Sequence, residues 1–322
     1  MEREQGNGKR KLEIGNWELG TEPFNRSAFQ PFGFLNINKP TGMTSHDVVA
    51  VLRKIAKIKQ IGHMGTLDPF AQGVLPVCIG KATRLIEYLN DEKEYLAQIS
   101  FGKSTDTYDV EGRATFCAGP AQKVALKDVV EGLKAFEGEI LQTPPIYSAI
   151  KIKGKKLYEY ARKGEEVHIE PRKVTIEKIE LKAFDEKNQK AEVLIKCSKG
   201  TYIRSIAHDL GQNLKVGAYL SGLTRTQAGK FFIDEAAPLE NIKTIQDVKE
   251  NLINPLDMMD LVQIKISEEE HKEIMMGKSI HSKNPSNNLK QDDFLILIYN
   301  DKINAIATVR DNLIRVKKVF EV

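Results

Sequence analysis

Apolar and polar positions follow two periods along the chain. Val48, Val51, Leu52 and Ile55 fall at i, i+3, i+4 and i+7, the single stripe of an amphipathic helix. Thr44 stands three residues before Asp47, a capping-box-like start with Asp in place of Glu or Gln. The opposite face carries Arg53, Lys54 and Lys57, and no acidic residue occurs from Val48 to Leu67. Before this helix, residues 33–38 read as a short strand ended by Lys39-Pro40-Thr41-Gly42, a turn signature. After a glycine-rich turn over 62–73, residues 74–79 read as a strand and 82–89 as a helix. Tyr95, Ala97, Ile99 and Phe101 alternate with Leu96, Gln98 and Ser100, the period of a strand. Leu126, Val129, Val130 and Leu133 form a second helical stripe. Further strands are predicted over 174–184 and 191–197, and a helix over 202–214. Strands and helices mix without a regular βαβ rhythm, which predicts an α+β fold.

Past Asn254-Pro255 the pattern shifts to a short helix over 268–276 and compact strands at 294–299, 303–309 and 313–320, a small, mostly β appendage. Residues 1–30 lack periodicity and read as a mobile extension holding the only tryptophan, Trp17. They have no apolar stretch for a secretory signal, and their five acidic residues do not suit a mitochondrial presequence. The length, 322 residues, suits about two domains at about 150 residues each. With 41% hydrophobic residues, the chain can bury a sizeable core. The cleanest apolar run, Phe294–Tyr299, is far shorter than the roughly 20 residues of a membrane span. A net charge of +4 permits a polyanionic partner without demanding one, and three scattered cysteines exclude a disulfide scaffold or cysteine-rich zinc site.

Candidate chemistry narrows quickly. Ala97 to Ser104 formally fits a loose phosphate-binding loop pattern, but its middle continues a strand and no helical stripe follows Lys103. His46, His63 and His208 have no metal-ligand spacing. The most concentrated signal is Gly62-His63-Met64-Gly65-Thr66-Leu67-Asp68-Pro69, a carboxylate on a tight loop shaped by two glycines and a proline. By itself, an Asp-Pro pair is usually only a turn or a helix N-cap, and the catalytic reading needs support from its neighbours. Two other clusters add to it. Over residues 151–163, six cations (Lys151, Lys153, Lys155, Lys156, Arg162, Lys163) face one acid, Glu159, and Tyr147, Tyr158 and Tyr160 interleave with them. Such a run is either a solvated face or a phosphate-tracking, base-stacking surface. Lys199-Gly200-Thr201-Tyr202-Ile203-Arg204 places an aromatic ring and a guanidinium at a strand-to-helix junction, where Arg204 can pair with a carboxylate and favour its ionised form.

These clusters, in this order, resemble the bacterial tRNA pseudouridine synthase B family from about residue 33 through 229. The resemblance rests on Lys39-Pro40-x-Gly42-x-Thr44-Ser45, the 62–69 octet, Thr105-Asp106-Thr107-x-Asp109-x-x-Gly112 and Tyr147-Ser148-Ala149. It continues through Gly154-Lys155-x-Leu157-Tyr158-x-x-Ala161-Arg162-x-Gly164 and the Lys199 to Arg204 cluster. It implies a pseudouridine synthase fold with a central mixed, largely antiparallel sheet over 33–250, with a basic RNA-clamping insertion at about 147–171. A small mostly-β, PUA-like RNA-binding domain would cover 255–322, and the extension over 1–32 departs from the usual bacterial start. The implied activity is isomerisation of uridine 55 in the tRNA TΨC loop to pseudouridine, with Asp68 catalytic. His63, Tyr95, Tyr202, Arg204, Lys39, Lys153 and Lys155 would bind substrate, Tyr95 stacking on the target base and taking part in proton transfer, and Arg204 pairing with Asp68. No metal, cofactor, membrane or obligatory protein partner is implied, and the expected state is a cytoplasmic monomer acting on tRNA. The alternatives are a non-catalytic tRNA-binding or folding protein of the same fold and a guide-RNA-dependent pseudouridine synthase.

Overall fold

The computed structural model describes residues 31–119, 122–281, 290–311 and 313–320. The expected extension over 1–32, Trp17 included, lies outside the described residues except for Pro31 and Phe32.

The first strands follow the alternation and turn signals closely. They are β1 (Gly33–Lys39), β2 (Ile61–His63), β3 (Gln72–Ile79) and β4 (Lys93–Phe101), with helix α1 (Ser45–Ala56) between β1 and β2. Thr44 caps α1 through a complete capping box with Asp47, and Val48, Leu52 and Ile55 turn inward as their spacing requires. A hairpin of β5 (Lys103–Thr105) and β6 (Ala114–Cys117) follows, then helix α2 (Leu126–Lys134) and β7 (Gly138–Gln142). The basic region forms a second hairpin, β8 (Lys151–Ile152) with β9 (Lys155–Lys156), running into helix α3 (Leu157–Lys163). Strands β10 (Arg172–Asp185) and β11 (Lys190–Cys197), helix α4 (Ile203–Asn213), and strands β12 (Ala218–Ala228), β13 (Phe231–Phe232) and β14 (Ala237–Pro238) complete the larger unit.

Among the described residues a ten-stranded sheet runs in the order β14-β1-β3-β12-β4-β11-β10-β7, with β13 beside β12 and β2 beside β3. Only β14–β1 and β3–β12 pair in parallel, so the sheet is mixed and largely antiparallel. Helices α2 and α4 cover one apolar layer built from β4, β11 and β12, while α1 packs on β1 and β3. A second, five-stranded sheet holds β15 (Val262–Lys265), β16 (Ile280–His281), β17 (Phe294–Tyr299), β18 (Lys302–Arg310) and β19 (Leu313–Val319) in the order β15-β17-β18-β19-β16. Its Ile296, Ile298, Ile303 and Ile306, with Phe320 just past β19, join Phe34, Val74 and Phe231 of the larger unit in one apolar cluster.

Two readings of the pattern need correction. The second stripe is out of phase: Val129 and Leu133 are buried, but Leu126 and Val130 are 52% and 38% exposed. Gly132 explains it, because a Cβ there would meet Leu210 of α4 at 2.8 Å, so the bare glycine face docks and carries the helix round. The helix expected over 82–89 is a 3-10 helix, Gly80–Tyr88, which buries Ala82 and Leu85 three residues apart. The rejected phosphate loop stays rejected, since Lys103 opens strand β5 and no helix.

Candidate active site

The 62–69 octet connects β2 towards β3 and is pinned from several sides. Ser45, the first residue of α1, donates its hydroxyl to the Leu67 carbonyl (3.2 Å) and accepts from the Leu67 amide (2.8 Å). The Met64 amide donates to the Pro76 carbonyl, and the Ala71 amide to the Asp68 carbonyl. Lys39, at the end of β1, is wholly buried and donates to the carbonyls of Pro40 (2.9 Å), Met43 (2.6 Å) and Pro69 (3.4 Å). Burial pulls its ammonium down to about 8 against the attraction of Asp68. Lys39 is thus placed beneath the loop, tying the first turn to the last residue of the octet.

Asp68 is held on the floor of this loop with its side chain 32% exposed, open enough to be reached from outside. Arg204, in the first turn of α4, meets it side-on. Nε sits 2.9 Å from Oδ2 without its N–H aimed squarely at that oxygen, and Nη2 donates to Oδ1 at 3.2 Å. The rest of the guanidinium is occupied as well. Nη1 donates to Asp109 Oδ2 and to the Thr107 carbonyl, and Nη2 to the Tyr147 carbonyl, each at 3.2 Å. Asp109 is buried, accepting from the Thr107 hydroxyl (2.6 Å) and the Glu111 amide (3.0 Å). One cation therefore bridges two carboxylates, one sealed and one accessible. Burial pushes the Asp68 carboxyl above its ordinary value; Arg204 opposes that rise and Asp109 adds to it.

Tyr95, on β4, is 7% exposed. Burial raises its hydroxyl, the Arg225 cation opposes that, and Asp68 adds a smaller upward push. Tyr202 caps α4, its backbone clasped by Gln142, whose amide donates to the Tyr202 carbonyl (3.0 Å) while its oxygen accepts from the Tyr202 amide (2.8 Å). Its hydroxyl is raised by burial and lies within the field of Arg204 and Asp68. His63 ends β2, and burial and the Arg225 charge both push its imidazolium below the ordinary value.

Asp68, Arg204, Tyr95 and Tyr202 thus share one electrostatic neighbourhood, with Lys39 below it. Lys153 and Lys155 stand outside, exposed on the β8–β9 hairpin. Lys155 Nζ lies 5.7 Å over the Tyr160 ring, and Lys156 Nζ and Arg162 Cζ lie 5.4 and 5.2 Å over Tyr158. The segment joins the site through residues 147–150: the Tyr147 carbonyl accepts from Arg204, and the Ser148 and Ile150 carbonyls accept from the Tyr158 and Leu157 amides. Asp109 had no role assigned from sequence. Its signal was a turn dense in Thr and Asp, residues 105–109, that opens no helix.

The chain and its fold have known counterparts. Residues 53–203 match the model of the TruB family pseudouridylate synthase N-terminal domain. A chain of an H/ACA ribonucleoprotein bound to a substrate RNA containing 2'-deoxyuridine superposes with a TM-score of 0.63 at 25% identity, covering 90% of this chain and 86% of that one. A chain of the archaeal box H/ACA Nop10–Cbf5 complex shares the fold with a TM-score of 0.66 at 24% identity, covering 91% and 87%. The class is that of pseudouridine synthases. Within it, the tRNA pseudouridine synthase B of Caldanaerobacter subterraneus subsp. tengcongensis is 43% identical over 291 residues, 89% of this chain and 99% of its own. That of Symbiobacterium thermophilum is 49% identical over 220 residues, 68% and 73% of the two chains. The chain belongs to the tRNA pseudouridine synthase B family, and is an isomerase.

Proposed function

We propose that the protein converts uridine 55 in the TΨC loop of tRNA to pseudouridine, with Asp68 as the catalytic carboxylate. The observation that carries this reading is the accessible Asp68 bound side-on by a buried Arg204 that is itself fixed by Asp109. The reaction breaks the N1–C1′ bond, turns the uracil and joins C5 to C1′, moving the C5 proton to solvent or the ring nitrogen. Atoms and electrons balance within the nucleotide, so no redox partner or phosphoryl donor is consumed. The target base must first leave its stack, at about a few kcal/mol, and phosphate contacts from the 151–163 segment offset that cost. In this reading Tyr95 stacks on the extruded base and carries protons, Tyr202 walls the pocket, and His63, Lys153 and Lys155 serve RNA binding, while Lys39, expected from sequence to bind substrate, is wholly buried on three backbone carbonyls and braces the loop instead. The enzyme acts in the cytoplasm as a monomer, without guide RNA or a protein partner. Identity of 39–49% to proteins named tRNA pseudouridine synthase B, against 25% to the ribonucleoprotein chain, favours this over the guide-dependent reading.

The test uses purified protein and an unmodified transcript tRNA carrying 5-tritiated uridine. Stoichiometric tritium release without added RNA or protein is expected. Binding without release would leave a tRNA-binding protein, and release only with a guide RNA would assign the protein to the guided branch.

A further inference from the structure

Arg225 heads the fully buried side chains by size among the described residues, yet none of the steps above uses it. It lies on β12 directly across from Tyr95 on β4. Its Nε donates to the Val74 carbonyl at 2.6 Å and its Nη2 to the Gly65 carbonyl at 3.1 Å, while Nη1 is buried with no hydrogen-bond partner. These bonds are to carbonyls, and among the described residues no carboxylate pairs with its charge, an arrangement costly in a protein interior. Two glycines lie against this residue. Gly73, at φ +105°, brings β3 so close that a Cβ would stand 2.3 Å from the Arg225 carbonyl oxygen, and Gly65, at φ +87°, turns its own carbonyl onto the guanidinium. Burial raises the Tyr95 hydroxyl, and the Arg225 guanidinium opposes that rise while Asp68 adds to it.

We infer that Arg225 is a positioning residue for the isomerisation: it orients the Tyr95 hydroxyl and stabilises negative charge on that oxygen while a proton moves between the tyrosine and the uracil ring. The inference rests on the reading of Tyr95 as proton carrier. In the step concerned, Tyr95 Oη has given its proton to N1. With C5 already joined to C1′ and C6 doubly bonded to N1, the C5–H bond then breaks and its proton passes to the tyrosinate oxygen; its electron pair forms the C5–C6 double bond while the C6–N1 π pair withdraws onto the protonated N1. No co-reactant is consumed, and the guanidinium offsets the transient charge.

The test is a double-mutant cycle. Single-turnover tritium release at saturating tRNA is measured for Arg225→Met and Arg225→Lys, each alone and combined with Tyr95→Phe, with tRNA affinity and thermal unfolding in parallel. Arg225→Met should lose at least about tenfold in rate with tRNA affinity kept, and Arg225→Lys should recover part of that loss through its charge. In the Tyr95→Phe background both changes should cost less than about twofold. Equal fold-losses in the two backgrounds would overturn the inference and leave Arg225 a structural brace for the loop. So would an unchanged rate in Arg225→Met. A full rate in Tyr95→Phe alone would instead remove Tyr95 from proton transfer, and this inference with it. Should Arg225→Met fail to fold, the Arg225→Lys arm of the cycle decides on the same criterion.

Discussion

Around Asp68 the charges are bonded and mostly buried, whereas across residues 151–163 they face solvent over aromatic rings. Arg204 commits its guanidinium to two carboxylates and two carbonyls at 7% side-chain exposure. Lys155, Lys156 and Arg162 rest on Tyr160 and Tyr158 at 5.2–5.7 Å, contacts of about 0.5–1 kcal/mol each at exposed sites. The two regions use charge in opposite ways. A buried pair fixes geometry, and losing one partner leaves an uncompensated ion at about 3–5 kcal/mol. An exposed cation fixes little, but it can exchange its water and counterions for a phosphate at small cost. In the proposed function, one region holds a reacting atom and the other accepts a flexible polyanion.

The hardest break in this contrast is Asp68→Asn, which keeps the shape and removes the charge. Tritium release should fall by roughly 10⁴-fold or more while tRNA affinity changes little. Near-normal turnover would take Asp68 out of the mechanism. Next comes Arg204. Arg204→Met leaves Asp68 and Asp109 unpaired and should lower the single-turnover rate by roughly 10²–10³-fold. The sign of its pH effect is fixed by the raised carboxyl of Asp68. The rate climbs as pH rises through that value, and removing a cation that holds it down moves the climb to higher pH. Arg204→Lys keeps the charge but not the planar fork, so its loss and its shift should both be smaller. Equal loss of tRNA affinity in both variants with rates intact would make Arg204 a phosphate contact.

The smallest effect on chemistry is expected from neutralising Lys151, Lys153, Lys155 and Lys156 together. Single-turnover rate at saturating tRNA should hold, while affinity drops. The slope of log K against log salt should flatten by about 0.7–0.9 for each phosphate the protein no longer neutralises. An unchanged slope would return the segment to an ordinary solvated face.

What the sequence could convey follows the same division. The stripe Val48, Leu52, Ile55 and its Thr44 cap are decided within one turn of chain, and they formed as read. The second stripe failed because Gly132, silent in any hydrophobic pattern, sets which face meets α4. Asp68 and Arg204 stood out because each sits in a dense local motif, but their meeting across 136 positions is a product of sheet order. Asp109 closes the network only through the β5–β6 hairpin, for which no periodicity exists. Lys39 and Arg225 were least legible, since a cation in a sequence reads as surface and nothing local announces that carbonyls will receive it in the core.

The position of β12 has a consequence for how the molecule comes into being. Strands β3 and β4 are successive in the chain, yet they do not touch in the sheet, because β12 lies between them. Its hold on β3 is short, Thr224 and Arg225 against Gln72 and Gly73. A chain emerging from the ribosome therefore makes the loop of Asp68 and the strand of Tyr95 more than a hundred residues before the strand that sets them side by side. Such long-range closure comes late because its loop entropy must be met before its contacts form. An unfinished chain carries every fragment of the proposed active site up to Arg204 and still lacks the wedge that holds them in register.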